Sequence, residues 1–492
     1  MKLEDHSLIA ILKTLSNAEL KELNDFLSSP FHNKLVKVIE LFSIIKKSHP
    51  EYKSEKLNTI ELFKKLYPGK EYKHSTITNL ISKLQKLTEN FLVITNIQKN
   101  SFKKNEFLIK EYFGRNLKNL SFKSIFTDSE GNETNNETID SDYFYNSYTY
   151  DTYRVNYIVN YGMDNNKKSN EIFSSSLLKA SANFVNYFIM EFISNYINSV
   201  IMLSSNDTKD IKPKLDKIIN DLNIESFINN TESFNSHSYI LNLYLKLVQA
   251  FSNMDNIEYY FSYKKELLSS IDKLNGDEIY IHYSKLISYC SLKKEKKSEY
   301  DFQKEMFDIC QLVLKNEYYI NFTSKFLPIN LYRIILNNAI SLGKYDWLRT
   351  FIEEYSKKVN PRLRKETEYF SLATLNFALG NYDECLRYLN LTRENVFILD
   401  IRAMKLIIFY NFSYFNEGLN DLKSFLKFIR INKTLTQQRR QNFINFLTYM
   451  DKLFLYKIAN RKSEIGYYRK KLKTEESCVH KDWLLKTYQK IK

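Results

Sequence analysis

A five-residue phrase that occurs twice limits this chain to a narrow set of folds. Residues 342–346 read Leu-Gly-Lys-Tyr-Asp and residues 379–383 read Leu-Gly-Asn-Tyr-Asp, which places Gly343 and Gly380 37 positions apart. Apolar residues at helical spacing fill the interval. A small residue, a spacer, an aromatic residue and then a new helix are typical of the turn in a helix–turn–helix repeat. The phrase therefore predicts an array of paired helices.

The residues around both phrases fit the tetratricopeptide (TPR) pattern, in which each unit has about 34 residues with aromatic, small and glycine positions in fixed places. The better match is the second unit, with Tyr369, Leu372, Ala373, Gly380, Tyr382, Cys385 and Leu389. The first unit has Tyr332, Ile335, Gly343, Tyr345 and Ile352, with Leu348 where a small residue is expected. A weaker third unit, offset by 33, has Ser413, Phe415, Gly418 and Leu422.

Composition favours long helices joined by short turns. Only 9 of the 492 residues are Gly and only 6 are Pro, about 2% and 1%. Typical proteins contain about 7% Gly and 5% Pro. We predict an all-α chain in which an α-solenoid of TPR-like helix pairs follows an N-terminal helical domain. The predicted divisions are an N-terminal helical domain at 1–126, an acidic Asn-rich loop or disordered insertion at 127–142, degenerate helical repeats at 143–316, TPR-like repeats at 317–433, and basic C-terminal capping helices at 434–492.

The first hundred residues predict a compact helical domain. Ser16 and Glu19 have the spacing of a capping box at the start of a helix. Further helices are expected at about 33–47, 59–67 and 75–98. A Pro-Gly turn separates the last two, so a DNA-binding helix-turn-helix is an alternative to core packing. The continuous apolar stripe of the last helix favours packing.

Seven tyrosines lie between positions 143 and 161, most of them at helical spacing. Stacking on nucleic-acid bases is one interpretation of such a face. Packing of large amphipathic side chains in a core is the favoured one.

Cysteine usage and hydropathy predict a cytoplasmic protein. The four cysteines are far apart and lack CxxC spacing, which argues against a disulfide framework or a zinc site. The N-terminal apolar run carries charges, unlike a secretory signal. The most membrane-like stretch, 184–203, is interrupted by Asn and Glu, so it predicts a buried helix and no membrane span.

The net charge of +15 is concentrated near the C-terminus, where residues 401–492 contain 20 Lys and Arg against 7 Asp and Glu. Such a surface suits nucleic acid or another anionic partner. The alternatives are a charged solenoid cap and an A/T-rich codon bias. The residues proposed for an anionic partner are Arg430, Lys433, Arg439, Arg440, Arg469, Lys470 and Lys471.

No motif for catalysis, metal binding or cofactor binding is present in the sequence. The seven His are scattered, and Glu278 with His282 is a single pair that lacks the second His of an HExxH helix. Phosphate-binding loops and nucleophile elbows are missing. We therefore expect a non-enzymatic protein without a cofactor.

Taken over nearly its full length, the chain resembles a group of bacterial TPR-like proteins of unknown function. The resemblance lies in the segments 20–31 and 62–69, the Tyr-rich stretch after 142 and the two Leu-Gly-x-Tyr-Asp phrases. It implies the helical-repeat fold and the two-part layout. It implies no activity.

The leading hypothesis is a scaffold that binds a partner peptide or helix in the concave groove of a TPR-like superhelix. The repeat register places the following residues in that groove: Asn330, Arg333, Asn337, Ser341, Thr367, Phe370, Thr374 and Phe377. Some of these could instead pack against a neighbouring repeat. Replacement of Arg333 and Asn337 by Ala is expected to abolish partner capture without unfolding the protein.

Two alternatives stay open at this point. One is a nucleic-acid-binding regulator that uses the basic C-terminus or the 59–98 helix pair, with the repeats as sensor. The other is a sensor of a small ligand or peptide pheromone, which no specific residue supports.

Overall fold

The computed structural model is helical throughout the residues that it describes. These are residues 3–4, 6–52, 57–127, 139–162, 167–202, 211–231, 237–294, 299–320, 324–392, 395–459, 464–475 and 477–491. Within these ranges no β-strand occurs, which confirms the all-α prediction. Most of the acidic insertion predicted at 127–142 lies outside the described residues.

The chain divides into two compact units. The first comprises residues 1–133 and 156–165, and the second comprises residues 134–155 and 166–492. Each unit has its own buried apolar residues.

Helix α5 forms the centre of the first unit, where it packs against α1, α2, α3, α4 and α6. The helices of this unit are α1 Ser7–Leu12, α2 Asn17–Ser28, α3 Val36–Lys46, α4 Thr59–Leu66, α5 His74–Lys99, α6 Ser101–Gly114 and α7 Lys118–Phe122, followed by a π-helical turn at Lys123–Thr127. The capping box is confirmed, since Ser16 Oγ accepts a bond from Glu19 N at 3.2 Å and Ser16 N donates to Glu19 Oε2 at 2.8 Å.

The helices α4 and α5 occupy the two segments considered for a helix-turn-helix. The apolar stripe of α5 is buried, as at Ile77, Leu84 and Phe91. His74 and Asn79, at the start of α5, are exposed. The pair therefore supplies part of the first unit's core, as its apolar pattern predicted.

In the second unit, from α14 to α24, each helix packs against the next one along the chain. Helix α8 spans Ser141–Tyr161, and its last residues belong to the first unit. The remaining helices are α9 Lys167–Met202, α10 Ile211–Leu222, α11 Ile224–Thr231, α12 Ser238–Ser252, α13 Ile257–Ser270, α14 Gly276–Lys294, α15 Phe302–Lys315, α16 Ile329–Ser341, α17 Tyr345–Tyr355, α18 Arg364–Leu379, α19 Tyr382–Leu391, α20 Ile398–Asn411, α21 Phe415–Ile431, α22 Gln437–Ala459, α23 Ile465–Thr474 and α24 Lys481–Lys490.

The three turns predicted by the repeat share one backbone conformation. Gly343, Gly380 and Ser413 have φ angles of +65°, +78° and +60°. At each turn this residue donates its N–H to the carbonyl three positions back, and the next residue donates to the carbonyl five positions back. These two bonds form the Schellman motif, which satisfies the free carbonyls at a helix end. The degenerate third unit therefore keeps the turn without a glycine.

The small positions of the repeat pattern are buried between helices. Cys385 is fully covered, and Gly418 lies directly against the ring of Phe454. Leu348, which the pattern marks as oversized, is also fully buried. In the repeat region, α16 additionally contacts α18.

The tyrosines of α8 make ring contacts inside the protein. Tyr145 lies 5.5 Å from Tyr187 and Tyr148 lies 5.1 Å from Phe184, measured between ring centroids in the second unit. Tyr157 is buried in the first unit. These contacts agree with the packing interpretation of the Tyr-rich helix.

Candidate partner-binding surfaces

The eight residues predicted for a partner groove lie on α16 and α18 with very different exposure. Asn330, Asn337 and Ser341 are exposed, and Arg333, Thr374 and Phe377 are half-buried. Thr367 and Phe370 are buried. The residues on α16 follow spacings of three and four, so they share one helix face. A partner can therefore reach the α16 stripe (Asn330, Arg333, Asn337, Ser341), whereas Thr367 and Phe370 on α18 are covered.

Arg333 is already paired within the chain. Its Nη2 donates to Asp400 Oδ2 at 2.5 Å, and its guanidinium lies 5.9 Å from the centre of the Phe397 ring. A partner carboxylate would have to compete with Asp400 for this guanidinium. The sequence pattern gave no indication of this pairing, because the two residues are 67 positions apart.

The aromatic residues predicted as apolar anchors contact other rings of the chain. Phe370 stacks on Phe397 with ring centroids 4.2 Å apart. Phe377 contacts Tyr382 and His480. Burial lowers the pKa of His480, which disfavours a charged imidazole against these rings. The anchors therefore serve mainly the packing between helices.

A cleft of about 640 Å³ lies between α15 and α17. One wall is formed by Asp308, Gln311, Leu312, Leu314 and Lys315 of α15, and the other by Trp347, Thr350, Phe351, Glu354 and Tyr355 of α17. At 1.5 Å rise per residue the α15 wall is about 10 Å long. We call this feature the α15–α17 cleft. Its volume falls in the range of about 300–1,000 Å³ that is typical of ligand sites.

A row of stacked aromatic rings forms the α17 wall. Trp347, Phe351 and Tyr355 follow at four-residue intervals, with ring centroids 5.3 Å and 5.4 Å apart. Phe307 of α15 meets the Trp347 ring edge-on at 4.8 Å. These contacts pack the rings against one another; Phe351 is buried, whereas Trp347 and Tyr355 are half-buried and accessible from the cleft.

The charges in the α15–α17 cleft are mainly negative. Asp308 and Glu354 are exposed, and the described residues provide neither with an ion pair. Lys315 is the single basic residue among the lining residues of this cleft. Burial, assisted by the charge of Glu354, raises the pKa of Tyr355, so its hydroxyl stays neutral. Carboxylates beside aromatic faces suit a cationic side chain.

The α15–α17 cleft has no clear signal in the sequence. The four-residue spacing of Trp347, Phe351 and Tyr355 is visible in the sequence, and such a row most often packs in a core. Only the position of α15 shows that one side of the row stays open.

The seven basic residues predicted for an anionic partner divide into two sets. Arg430, Lys433, Arg439, Lys470 and Lys471 are exposed. Arg440 is half-buried and donates to the Asn432 carbonyl at 3.0 Å, and Arg469 donates to the Ile491 carbonyl. Both guanidinium groups are used in contacts within the chain, so the five exposed cations are the ones that a partner can reach.

Glu278 and His282 belong to a buried network. Glu278 Oε2 lies 3.4 Å from His282 Nε2 and accepts a bond from the Tyr244 hydroxyl at 3.0 Å. The Tyr263 hydroxyl lies 2.8 Å from His282 Nδ1. All four side chains are buried, and burial raises the pKa of Tyr263 and of Tyr244 well above the ordinary value. A substrate cannot reach this network without opening the core.

A second buried network surrounds Glu305. Its carboxylate accepts bonds from Lys264 at 2.5 Å, Tyr260 at 2.7 Å and Tyr300 at 2.9 Å. Cys290 lies beside Tyr260, and burial raises the pKa of its thiol to about 12. A thiol held in the protonated form is a poor nucleophile.

The described residues contain neither a metal-binding cluster nor a helix suited to cross a membrane. No group of three or more His, Cys, Asp or Glu side chains is arranged there to hold a metal ion. Among the helices that the structure describes, none combines the length and the apolar composition needed to cross a bilayer.

Comparison of the chain with protein-family models, with curated proteins and with solved structures finds no match in any of the three.

Proposed function

We propose that this chain is a non-enzymatic scaffold whose helix pairs form a TPR-like solenoid and bind a short segment of a protein partner. Three Schellman turns at the repeat positions and the sequential packing from α14 to α24 support the solenoid. The proposal places α16 and α18 among the first helices of the units, and α15 and α17 among the second helices.

The α15–α17 cleft carries the binding proposal. It has an aromatic wall, and Leu312 is 41% exposed at its edge. The occupant is a peptide segment, helical or extended, with an apolar side chain against Trp347 and Leu312. A Lys or Arg of the same segment lies beside Asp308 or Glu354, where charge and aromatic faces both attract a cation.

The α16 stripe is the second surface of the proposal. Asn330, Asn337 and Ser341 present exposed polar groups that can bond to a peptide backbone. A partner that occupies both surfaces would contact α15, α16 and α17.

The test is selection of peptides from a displayed library of random short sequences on the full chain. We expect the selected peptides to combine a basic residue with a neighbouring apolar residue. Leu312→Arg should weaken their binding by about tenfold or more, which corresponds to about 1.4 kcal/mol. Leu391→Arg is the matched control, because Leu391 is 43% exposed on α19, outside the cleft.

Two further variants separate the surfaces. Asp308→Asn combined with Glu354→Gln should remove the preference for basic residues while binding of the apolar residue persists. Asn330→Ala combined with Asn337→Ala reports on the α16 stripe. If the peptides bind Leu312→Arg as tightly as the control, the cleft is not the binding site. If binding is lost only in the α16 variant, the α16 stripe is the binding site.

A further inference from the structure

The hairpin formed by α21 and α22 contains a long stretch without any carboxylate. Residues 422–450 include six basic residues and no Asp or Glu. They are Lys423, Lys427, Arg430, Lys433, Arg439 and Arg440. All except Arg440 are exposed, and none of these five has an ion pair among the described residues.

Three of the exposed cations form a line on the outer face of α21. Lys423, Lys427 and Arg430 follow at spacings of four and three, so they lie on one face over about 10 Å. The opposite face of α21, with Leu422 and Phe425, is buried. We call these three residues the α21 basic stripe.

The turn after α21 extends the stripe with two more cations. Lys433 precedes α22 and Arg439 lies in its first turn. Arg440 bonds to the carbonyl of Asn432 at 3.0 Å, and Arg439 N bonds to Thr436 Oγ1 at 3.3 Å. These bonds fix the turn, so Lys433 and Arg439 project from an ordered backbone.

Neither of the two acidic residues of α21, both of which precede this stretch in the sequence, forms an ion pair with its cations among the described residues. Asp421 pairs with Arg402 at 3.0 Å, on the side of α21 that faces α20. Glu417 lies six residues before Lys423, about 9 Å along the helix. The potential over the stripe and the turn is therefore positive, which attracts a polyanion.

The hairpin offers no aromatic platform for unstacked bases. Residues 415–450 are all described, and none of their aromatic rings is exposed. The exposed Tyr414 precedes α21 and lies nine residues before Lys423, so it is not part of the stripe. Phe425, for example, is buried with the Arg402 guanidinium 4.8 Å from its ring centre. Proteins that hold single strands combine cations with exposed aromatic rings. A cationic surface without such rings favours the sugar–phosphate backbone of a duplex.

We infer that the α21 basic stripe, with Lys433 and Arg439, binds the phosphate backbone of duplex nucleic acid without sequence preference. This function goes beyond peptide binding and uses a different surface. Five phosphate contacts give a slope of about −4.5 for log K against log salt, and about a 500-fold loss of affinity between 50 and 200 mM salt.

The experiment is fluorescence anisotropy of the full chain with a labelled DNA duplex of random sequence, and with its single strand, over that salt range. The variant Lys423→Gln, Lys427→Gln, Arg430→Gln should reduce the slope to about −1.8, or about a 12-fold loss over the same range. Its control is Lys344→Gln, Lys357→Gln, Lys365→Gln. This control removes the same net charge from exposed lysines of the repeat region.

Four outcomes decide the inference. A reduced slope in the stripe variant alone supports it. Equal effects of the two variants would attribute binding to net charge and overturn it. Tighter binding to the single strand would contradict the backbone argument. Binding to phosphatidylglycerol vesicles but not to the duplex would replace nucleic acid by an anionic lipid surface.

Discussion

Arg333 on α16 and Asp400 on α20 form an ion pair of 2.5 Å between helices that are not consecutive in the chain. The side chains are 19% and 30% exposed. Between them in sequence, Phe370 of α18 stacks on Phe397, the ring that also lies near Arg333. The ion pair and the ring stack therefore join α16, α18 and α20 at one point. Arg333→Ala removes a contact of the fold as well as a group on the predicted groove.

A double-mutant cycle measures the strength of this pair. Because both groups are partly exposed, we expect Arg333→Ala and Asp400→Ala to couple by about 0.5–1 kcal/mol in the free energy of unfolding. The coupling should decrease at high salt. Urea unfolding of the parent chain, the two single variants and the double variant at two salt concentrations checks this. Strictly additive effects would show that the pair contributes nothing.

Gly418 and Gly466 should respond in opposite ways to the same substitution. A Cβ on Gly418 would collide with the ring of Phe454, so Gly418→Ala is expected to destabilise the protein by about 1–3 kcal/mol. A Cβ on Gly466 meets no atom within 4 Å, and Gly466→Ala within α23 should stabilise by about 0.5–1 kcal/mol. Thermal and urea unfolding compare the two. A neutral Gly418→Ala would mean that the Phe454 ring moves aside freely.

Tyr263→Phe tests the buried network of α12, α13 and α14. The substitution removes the hydroxyl beside His282 Nδ1 and leaves a buried polar atom without this partner. We expect a loss of about 1–3 kcal/mol in the free energy of unfolding. Tyr414→Phe is the control, because Tyr414 is 51% exposed and its change should stay within about 0.5 kcal/mol. Equal effects of both substitutions would argue against a structural role for the network.

Glu305 should make the stability of the protein sensitive to acid. Burial raises the pKa of this carboxyl, but the hydrogen bonds from Lys264, Tyr260 and Tyr300 outweigh burial and lower it below the ordinary 4.5. The unfolded chain therefore binds the proton more readily, and stability is lost as pH falls from about 4.5 through the lowered pKa.

Glu305→Gln isolates this contribution. The variant should be less stable at neutral pH by about 1–3 kcal/mol and should lose less stability than the parent between pH 6 and pH 3. Urea unfolding at a series of pH values gives both curves. Parallel curves would show that Glu305 does not titrate differently in the folded and unfolded states.

The helices and the turns around the two Leu-Gly-x-Tyr-Asp segments could be predicted because their signals are local. Gly343 and Gly380 mark turns that need a left-handed residue, and the structure has helices on both sides of each. Ser413 occupies the equivalent turn in the third unit, where the spacing alone predicted it. The capping box at Ser16 is equally local, since both partners lie within four residues.

The surfaces available to a partner could be predicted only in part. The helical register predicted that Asn330, Asn337 and Ser341 share one face of a helix, and in the structure all three are exposed on α16. It gave no means to see that Phe397 would cover Phe370, because that contact depends on how α18 and α20 pack.

The helices, their turns and the excess of positive charge in the C-terminal hairpin follow from local sequence. These depend on backbone preferences and on composition within a few residues of each position. Three other features come from tertiary packing. The row of aromatic rings beginning at Trp347 borders an open cleft, and Asp400 pairs with the Arg333 guanidinium. Glu305 and Glu278 accept hydrogen bonds from buried tyrosines. Each of these features depends on the distances and angles between helices. Those distances and angles are fixed when side chains far apart in the sequence pack against one another.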